Sequence, residues 1–180
     1  MSKIYNIKTI SEAHQLLGLE KPLHPLISVF RHTPEMNLNI QNVSVAFDMY
    51  LISLKKDIKG AINYGRNSYD FTEGTLLFLA PNQVVKVTGE PVIDLNGWSM
   101  FIHPDLLRKS QMGESIQQFS FFDYDVNEAL HLSDKESNAL TEIVYNIEGE
   151  LKQNLDRHSQ ELIIHNLESI LKYSHRYYDR

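Results

Sequence analysis

The chain of 180 residues contains no cysteine, which excludes disulfide frameworks, thiol nucleophiles and cysteine-ligated zinc sites together. It also lacks any stretch close to the ~18 consecutive apolar residues that a membrane-spanning helix requires. Residues 1–17 have neither the apolar centre nor the small-residue cleavage site of a signal peptide. We therefore expect a soluble, cytoplasmic protein whose core is held by apolar packing.

Clustered basic residues are also missing. Lysine and arginine number 17 against 23 aspartates and glutamates, for a formal net charge of −6. The densest basic group, Lys55, Lys56 and Lys59, has Asp57 in its midst. Because nucleic-acid-binding surfaces neutralise phosphates with clustered lysine and arginine, we expect these residues to be a poor DNA-binding surface.

Proline is absent from the chain after Pro104, and the only glycines beyond it are Gly113 and Gly149. Turn residues at short intervals before that point indicate many short strands, and their loss afterwards permits long helices. The segments that we predict to be strands are His24–Phe30, Val43–Leu54, Ala61–Tyr64, Thr75–Leu79, Val84–Val87 and Val92–Ile102. Many short strands with turns between them favour a sandwich or a barrel.

Helix signals are found towards both ends of the chain. Near the N-terminus, Ser11 is placed to cap a short helix, and Gly18 suits the left-handed residue at its end. Pro104 suits the first position of another helix, because its missing N–H costs nothing there. In the C-terminal part, Ser133 and Glu136 form the capping box of a longer helix.

A second long helix is predicted to begin after Asp156, so residues 131–180 are expected to form an antiparallel two-helix hairpin. The apolar stripes of the two helices comprise Leu140, Ile143, Val144, Ile147 and Leu151, and Ile163, Leu167, Ile170, Leu171 and Ser174. Two helices alone leave part of these stripes uncovered. We expect the hairpin to pack on the strands and also on a second copy of the chain. The residues predicted at that homodimer interface are Leu140, Ile143, Val144, Ile147, Ile163, Leu167 and Ile170.

The sequence shows no catalytic or cofactor-binding motif: no P-loop, no nucleophile elbow and no dinucleotide-binding fingerprint. A metal-binding double-stranded β-helix (cupin) barrel usually offers an H-x-H pair, a glutamate and a later histidine. The corresponding places hold Tyr64, Asn67 and Tyr69, which cannot replace those ligands without loss of most divalent-metal affinity. We expect no catalytic residue, no metal and no cofactor.

Two groups of histidines have simple structural interpretations. His158, Glu161 and His165 follow the spacing i, i+3, i+7 on the second long helix, which is typical of a solvated polar face. His103 precedes Pro104 at a strand–helix junction, where a local structural role is favoured over a ligand or general-base role.

Aromatic residues on the predicted strands are the remaining candidates for a site. Tyr50, Tyr64, Phe78, Trp98 and Phe101 would line a barrel mouth that suits a sugar or a flat organic ligand. Ordinary core packing competes with this interpretation for each of them, because large aromatic side chains dominate protein cores.

Three segments carry a family resemblance: GWSMFIHPDLLRKSQMG, FSFFDYDVNEALHLSDKE and DRHSQELIIHNLESILKYSHRYYDR. From about His24 onward the chain resembles the N-terminal part of AraC-type transcription regulators, in the variant common in Bacteroides-like bacteria. The resemblance implies a mainly β fold with α. A cupin-like barrel at residues 1–130 would sense a small molecule, and the hairpin at 131–180 would mediate homodimerisation. The DNA-binding helix-turn-helix domain is expected after residue 180. The chain would be either an excised sensor domain or a naturally short relative, and the abrupt ending at Arg180 favours the excised domain.

Two other interpretations stay open at this point. The chain could be a metal-dependent cupin enzyme, such as a sugar isomerase or a dioxygenase, which predicts a bound metal ion. It could instead be a structural barrel without any ligand, which predicts no thermal stabilisation by any metabolite. The regulator interpretation predicts a small effector, such as a sugar or another metabolite, and no enzymatic activity.

Overall fold

The computed structural model describes residues 3–33, 43–56, 61–64, 67–70, 74–87, 96–122 and 129–180. The strands are β1 Ile4–Ile7, β2 Ile27–Arg31, β3 Val43–Phe47, β4 Tyr50–Lys55, β5 Ala61–Tyr64, β6 Asn67–Asp70, β7 Thr75–Leu79, β8 Val84–Val87, β9 Trp98–Ile102 and β10 Leu130–His131. The helices are α1 Ile10–Leu17, α2 Pro104–Leu107, α3 Gln111–Ser115, α4 Asp134–Leu151 and α5 Arg157–Tyr178. The chain therefore mixes strands and helices.

Two main sheets carry the β part of the fold. The large sheet has five strands in the order β10-β7-β4-β9-β2, all antiparallel, and the small sheet has three in the order β1-β3-β8. In the small sheet, β1 runs parallel to β3 and β8 runs antiparallel to it. Strands β5 and β6 pair only with each other in the described part of the chain, where no closed barrel is formed. The predicted strand-rich part is thus two open sheets rather than a closed barrel.

The predicted single strand Val43–Leu54 is wrong, because the chain changes sheets in its middle. A bend at Asp48 and Met49 separates β3, in the small sheet, from β4, in the large sheet. The Asp48 N–H donates to the Ile7 carbonyl oxygen (2.8 Å), which continues the pairing with β1 past the end of β3. The apolar residues of this segment therefore belong to two sheets, those of β3 to the small sheet and those of β4 to the large sheet.

The other predicted strands agree with the structure to differing degrees. The bounds of β5, β7 and β8 are confirmed, while β2 begins at Ile27 rather than His24. The strand predicted from Val92 lies partly outside the described residues, and its described part begins at Trp98. Strands β1, β6 and β10 were not predicted. Strand β10 spans only Leu130–His131, which is too short for a periodic signal.

Helix α1 begins earlier than predicted. Thr9, in an extended conformation, caps it by accepting a hydrogen bond from the Glu12 N–H (3.1 Å), so the prediction of Ser11 as the cap is wrong. Gly18 ends the helix with φ of 69°, as predicted for a left-handed residue. Helix α1 and the small sheet bury a second apolar cluster that includes Ile10, Val45 and Met49.

The C-terminal hairpin forms as predicted from its caps. Ser133 and Glu136 make the reciprocal capping box of α4, and Asp156 accepts a hydrogen bond from the Ser159 N–H (2.8 Å) at the start of α5. The segment after α3 also lies against the core, since Phe121 and Phe122 are buried. None of the helices in the described part of the chain is long and apolar enough to cross a membrane.

The hairpin packs against one side of the large sheet, which we call the helix side. A single apolar cluster joins the sheet to α4 and α5. Its sheet residues include Ile27, Tyr50, Ile52, Leu54, Leu76, Phe78, Trp98, Met100 and Ile102. Its hairpin residues include Leu140, Val144, Ile147, Leu151, Ile163, Leu167, Ile170 and Leu171. The opposite side, which we call the inner side, carries Phe101 and contributes to the second cluster with α1 and the small sheet.

Candidate functional site

Three of the aromatic residues predicted to bind a ligand lie on the helix side. The Tyr50 ring lies 5.0 Å from the ring of Phe122, and Phe78 stacks on Phe121 at 4.1 Å. The Trp98 indole N–H donates to the Thr141 hydroxyl oxygen (3.0 Å), which ties β9 to α4. Burial raises the pKa of the Tyr50 hydroxyl above its ordinary value. These side chains are packed into the core between sheet and helices.

Phe101 lies on the inner side instead, because it alternates with Trp98 and Met100 along β9. Its ring stacks on Phe30 at 5.9 Å and lies 5.0 Å from Phe47 of the small sheet. The side chain of Tyr64, the fifth predicted residue, lies outside the described residues. The structure therefore does not bring the predicted aromatic set together at one site.

A row of buried polar side chains occupies the inner side. We call it the inner polar strip; it comprises Ser28, His32, Ser53, Thr75 and Ser99. All five are buried, although sheet faces that point into a core are normally apolar. Burying a hydroxyl or imidazole costs free energy unless each group finds a hydrogen-bond partner. A set of such groups on one face is therefore a candidate binding site.

The centre of the strip is a continuous hydrogen-bonded chain across three strands. Ser53 and Ser99 lie directly opposite each other on β4 and β9, and their hydroxyl oxygens are 2.7 Å apart. The Ser99 hydroxyl also lies 2.5 Å from Nε2 of His32, just beyond the end of β2. A hydroxyl both donates and accepts, so the donors and acceptors along this series of hydrogen bonds can be reversed according to the tautomer of His32. It can therefore offer a ligand either a donor or an acceptor.

The strip continues to each edge of the large sheet. At the β2 edge, Nε2 of His14 bonds the Ser28 hydroxyl, and Nδ1 of the same ring lies 2.6 Å from the Glu20 carbonyl oxygen. Because a carbonyl oxygen only accepts, Nδ1 of His14 donates to Glu20. At the other edge, the Thr75 hydroxyl lies 3.4 Å from Nδ1 of His131 on β10.

His131 also connects the large sheet to the end of the hairpin. The Arg180 guanidinium donates to the His131 carbonyl oxygen and to the Glu136 carboxylate, the residue that caps α4. Although partial desolvation alone would raise the pKa of the Glu136 carboxyl, hydrogen bonds from the Ser133 N–H and Arg180 hold it below its ordinary value. We call this set of contacts the Arg180 latch.

Two clefts open beside residues 19–25, the segment that joins α1 to β2. One has a volume of about 430 Å³ and lies between this segment and α1, with His14 and His24 in its wall. The other, of about 500 Å³, lies between the segment and β2. Burial lowers the pKa of the His24 imidazole, which favours its neutral form. These clefts were not predicted from the sequence.

No group of three or more potential metal-ligating side chains occurs within the described residues. His103 accepts a hydrogen bond from the Asp105 N–H (3.1 Å) and so caps α2, which confirms its local structural role. His158, Glu161 and His165 are exposed on α5, as expected for a solvated face.

The residues predicted at a dimer interface lie largely inside the single chain. Ile143 is partly buried, and the other six are at most 1% exposed in the cluster with the large sheet. They are Leu140, Val144, Ile147, Ile163, Leu167 and Ile170. A partner could reach them only if the hairpin left the sheet. The exposed apolar side chains of the hairpin are others, among them Tyr145, Leu162 and Tyr173.

Comparison with known proteins adds no relative. Neither a scan against protein-family models nor a search of curated proteins finds a match to this chain.

The inner polar strip was not predicted from the sequence, where aromatic residues and metal ligands were the only candidates for a site. A signal was nevertheless present: Ser28, Ser53 and Ser99 each lie between apolar neighbours in their strands, ISVFR, YLISLK and WSMFI. A single serine in an apolar strand means little by itself. Only the pairing of β4 with β9 shows that two of these serines share one hydrogen bond.

Proposed function

We propose that this chain is the ligand-sensing and dimerisation part of an AraC-type transcription regulator and has no enzymatic activity. In this proposal the two main sheets form a cupin-like unit that binds a small polar metabolite, such as a sugar. DNA would be contacted by a separate helix-turn-helix domain, since a net charge of −6 disfavours phosphate binding by the chain itself. The regulator would act in the cytoplasm.

The observation that carries the proposal is the hydrogen-bond network of His32, Ser99 and Ser53 on the inner side. A fold that needed only stability would gain more from apolar residues there, because a buried polar network costs desolvation and returns little net free energy. Polar groups that can both donate and accept match the hydroxyl groups of a sugar or a similar metabolite. This match supports a binding role for the inner side.

The way the hairpin meets the sheet supports a sensing role. Trp98 extends from β9 to Thr141 of α4, and Ser99, the next residue, points to the inner side. A ligand that moved β9 would therefore act on both sides of the sheet. Such coupling requires that the ligand bind one arrangement of the hairpin better than another.

The proposed homodimer uses the outward face of the hairpin. Leu162 and Tyr173 are 47% and 39% exposed and lie three turns apart on one face of α5, with Asn166 and Ser169 between them. Large exposed apolar side chains on one helix face are typical of protein interaction sites. This face replaces the buried stripe as the proposed contact between copies.

The ligand-binding part is tested by thermal unfolding with a panel of monosaccharides, sugar acids and aromatic carboxylates. We expect at least one compound to raise the Tm, because a ligand that binds only the native state stabilises it by mass action. Ser99→Ala should abolish the increase. Ser174→Ala removes another buried hydroxyl, on α5, and should leave the increase unchanged. A panel without effect, or an increase that survives Ser99→Ala, would contradict the proposal.

The dimer is tested by analytical ultracentrifugation at high micromolar concentration. We expect a dimer for the unmodified chain and a monomer for Leu162→Glu, because an interface cannot bury an unpaired charge without cost. Tyr5→Glu replaces another exposed residue (40%, against 47% for Leu162), which lies on β1, far from the hairpin along the chain, and should remain dimeric. A monomeric unmodified chain would exclude this part of the proposal.

A further inference from the structure

Strand β2 forms one edge of the large sheet, and within the described residues it pairs with β9 alone. The ladder with β9 continues to His32, whose N–H donates to the Gly97 carbonyl oxygen (2.9 Å). Antiparallel ladders alternate, so every second residue bonds the neighbour strand and the residues between them turn away. The backbone groups of Ile27, Val29 and Arg31 therefore point to the free edge.

A cleft of about 500 Å³ runs along this free edge. Its walls are β2 on one side and residues 18–23 on the other, and Leu151 of α4 also lines it. Leu19, Leu23 and Val29 make the walls apolar, and Leu23 is 62% exposed. The cleft thus combines unpaired backbone donors and acceptors with apolar walls, the two features by which a sheet edge takes up an extended strand.

The charged residues of the cleft favour an acidic occupant. Lys21 and Arg31 outweigh Glu20 by one positive charge, whereas the whole chain has a net charge of −6. Glu148, which pairs with Arg31, pairs with Lys152 as well (3.7 Å), so these two opposite charges leave the balance unchanged. Arg31 is held in place at the end of the cleft by Glu148 (3.2 Å) and by the Tyr145 ring, 4.4 Å from its guanidinium, and its side chain remains 57% exposed.

The same geometry disfavours a second copy of the chain as the occupant. Two β2 edges would have to approach to the strand spacing of ~4.8 Å. Residues 19–25 stand beside β2 in every copy, and His14 holds them there through its hydrogen bond to Glu20 (2.6 Å). A single extended segment has no such wall of its own, so it can enter where a second copy cannot.

We propose that the free edge of β2 binds an extended peptide segment of a partner protein as an added strand. The segment carries apolar residues at alternate positions and an acidic residue that reaches Arg31. This proposal goes beyond the sensing function and does not depend on it, because strand addition uses the backbone groups of Ile27, Val29 and Arg31. The sensing proposal uses the side chains of His32, Ser99 and Ser53, none of which lines the cleft.

Val29→Pro tests the added strand directly. Proline removes the N–H that faces the edge and leaves the bonds to β9 in place, and edge strands accept proline at such positions. Val29→Thr is the matched control, since threonine keeps the N–H and the branched shape. Circular dichroism of both variants checks that the fold is retained.

The probe is a displayed library of random seven-residue peptides, selected on the unmodified chain. We expect selected peptides to alternate apolar and polar residues, to contain aspartate or glutamate, and to bind Val29→Pro at least tenfold more weakly than Val29→Thr. If Val29→Pro does not fold, N-methylation of every second peptide amide replaces it and should cause the same loss. A library that yields no binder, or peptides indifferent to both changes, overturns the proposal.

Amide hydrogen exchange distinguishes strand addition from other binding. With a selected peptide bound, the amides of Val29 and Arg31 should become protected, whereas those of Ser28 and Phe30 are protected already by β9. Protection elsewhere, without a change at Val29, overturns the proposal. Concentration-dependent dimerisation that Val29→Pro abolishes would also overturn it, in favour of pairing between two copies.

Discussion

Both sides of the large sheet contain buried residues, but the two sides differ in chemistry. On the helix side, Ile52 and Met100 are fully buried among apolar side chains. Their immediate neighbours in the same strands, Ser53 and Ser99, lie on the inner side. These serines are 2% and 5% exposed and are hydrogen-bonded to each other. Burial on the helix side stabilises the fold, whereas burial on the inner side must be offset by hydrogen bonds. The difference separates the side that holds the fold by apolar packing from the side that we propose as the ligand-binding one.

The largest effect is expected on the helix side, from Leu167→Ala. Leu167 is fully buried between α5 and the large sheet, so its truncation should cost about 2–5 kcal/mol of unfolding free energy. Urea denaturation measures the loss. The control is Leu162→Ala on the same helix, where a 47% exposed side chain should change stability by less than ~0.5 kcal/mol. Equal effects would show that the hairpin does not pack on the sheet.

A smaller effect is expected on the inner side, from Ser99→Ala. The change removes the shared partner of His32 and Ser53, and leaving buried polar groups unpaired costs about 1–3 kcal/mol. Adding Ser53→Ala should cost little more, because it removes a group that has already lost its partner. Additive losses in the double-mutant cycle would contradict a connected strip.

An increase in the free energy of unfolding is expected from a substitution of one buried polar residue in α4. Ser137 of α4 is 1% exposed, and its hydroxyl has no hydrogen-bond partner in the described part of the chain. Ser137→Ala should therefore raise the unfolding free energy by about 1 kcal/mol. Ser174→Ala is the control, since the Ser174 hydroxyl donates to the Ile170 carbonyl (2.7 Å) and its loss should bring no gain.

The smallest effect concerns the Arg180 latch, where the hairpin meets the edge of the large sheet. Because the pKa of Glu136 is lower in the folded chain, the ionised carboxylate stabilises the fold at pH values above its ordinary pKa. This contribution is lost as the pH falls through the lowered pKa. Urea denaturation between about pH 7 and pH 3 measures the free energy of unfolding. Its decrease over this range should be about 0.5–1 kcal/mol smaller in Glu136→Gln than in the unmodified chain. An unchanged pH profile would mean that the latch does not form.

Much of the helical part could be predicted from local signals. The caps at Ser133 and Asp156 and the spacing of the stripes depend only on neighbouring residues, so the hairpin appeared in the sequence with its ends nearly correct. What the stripes contact could not be predicted, because the periodicity shows that a face is buried but not against what. The large sheet covers it within one chain.

The β part was predicted less well, because the partners of a strand are distant in sequence. The apolar segment around Asp48 indicates extended structure, but nothing local shows that β3 and β4 belong to different sheets. The same reason explains why the predicted aromatic residues do not form one site. Alternation along β9 separates Trp98 from Phe101, and only the packing shows which side faces the helices.

The sequence by itself determined the absence of cysteine chemistry, the acidic charge, the positions of most strands and the capped hairpin. These follow from composition and from contacts between near neighbours. The tertiary structure decided which face of each strand meets the hairpin, and it joined His32, Ser99 and Ser53 across 67 residues of chain. It also left one edge of β2 without a neighbour among the described strands. Such features arise from pairing between distant segments, which no local pattern records.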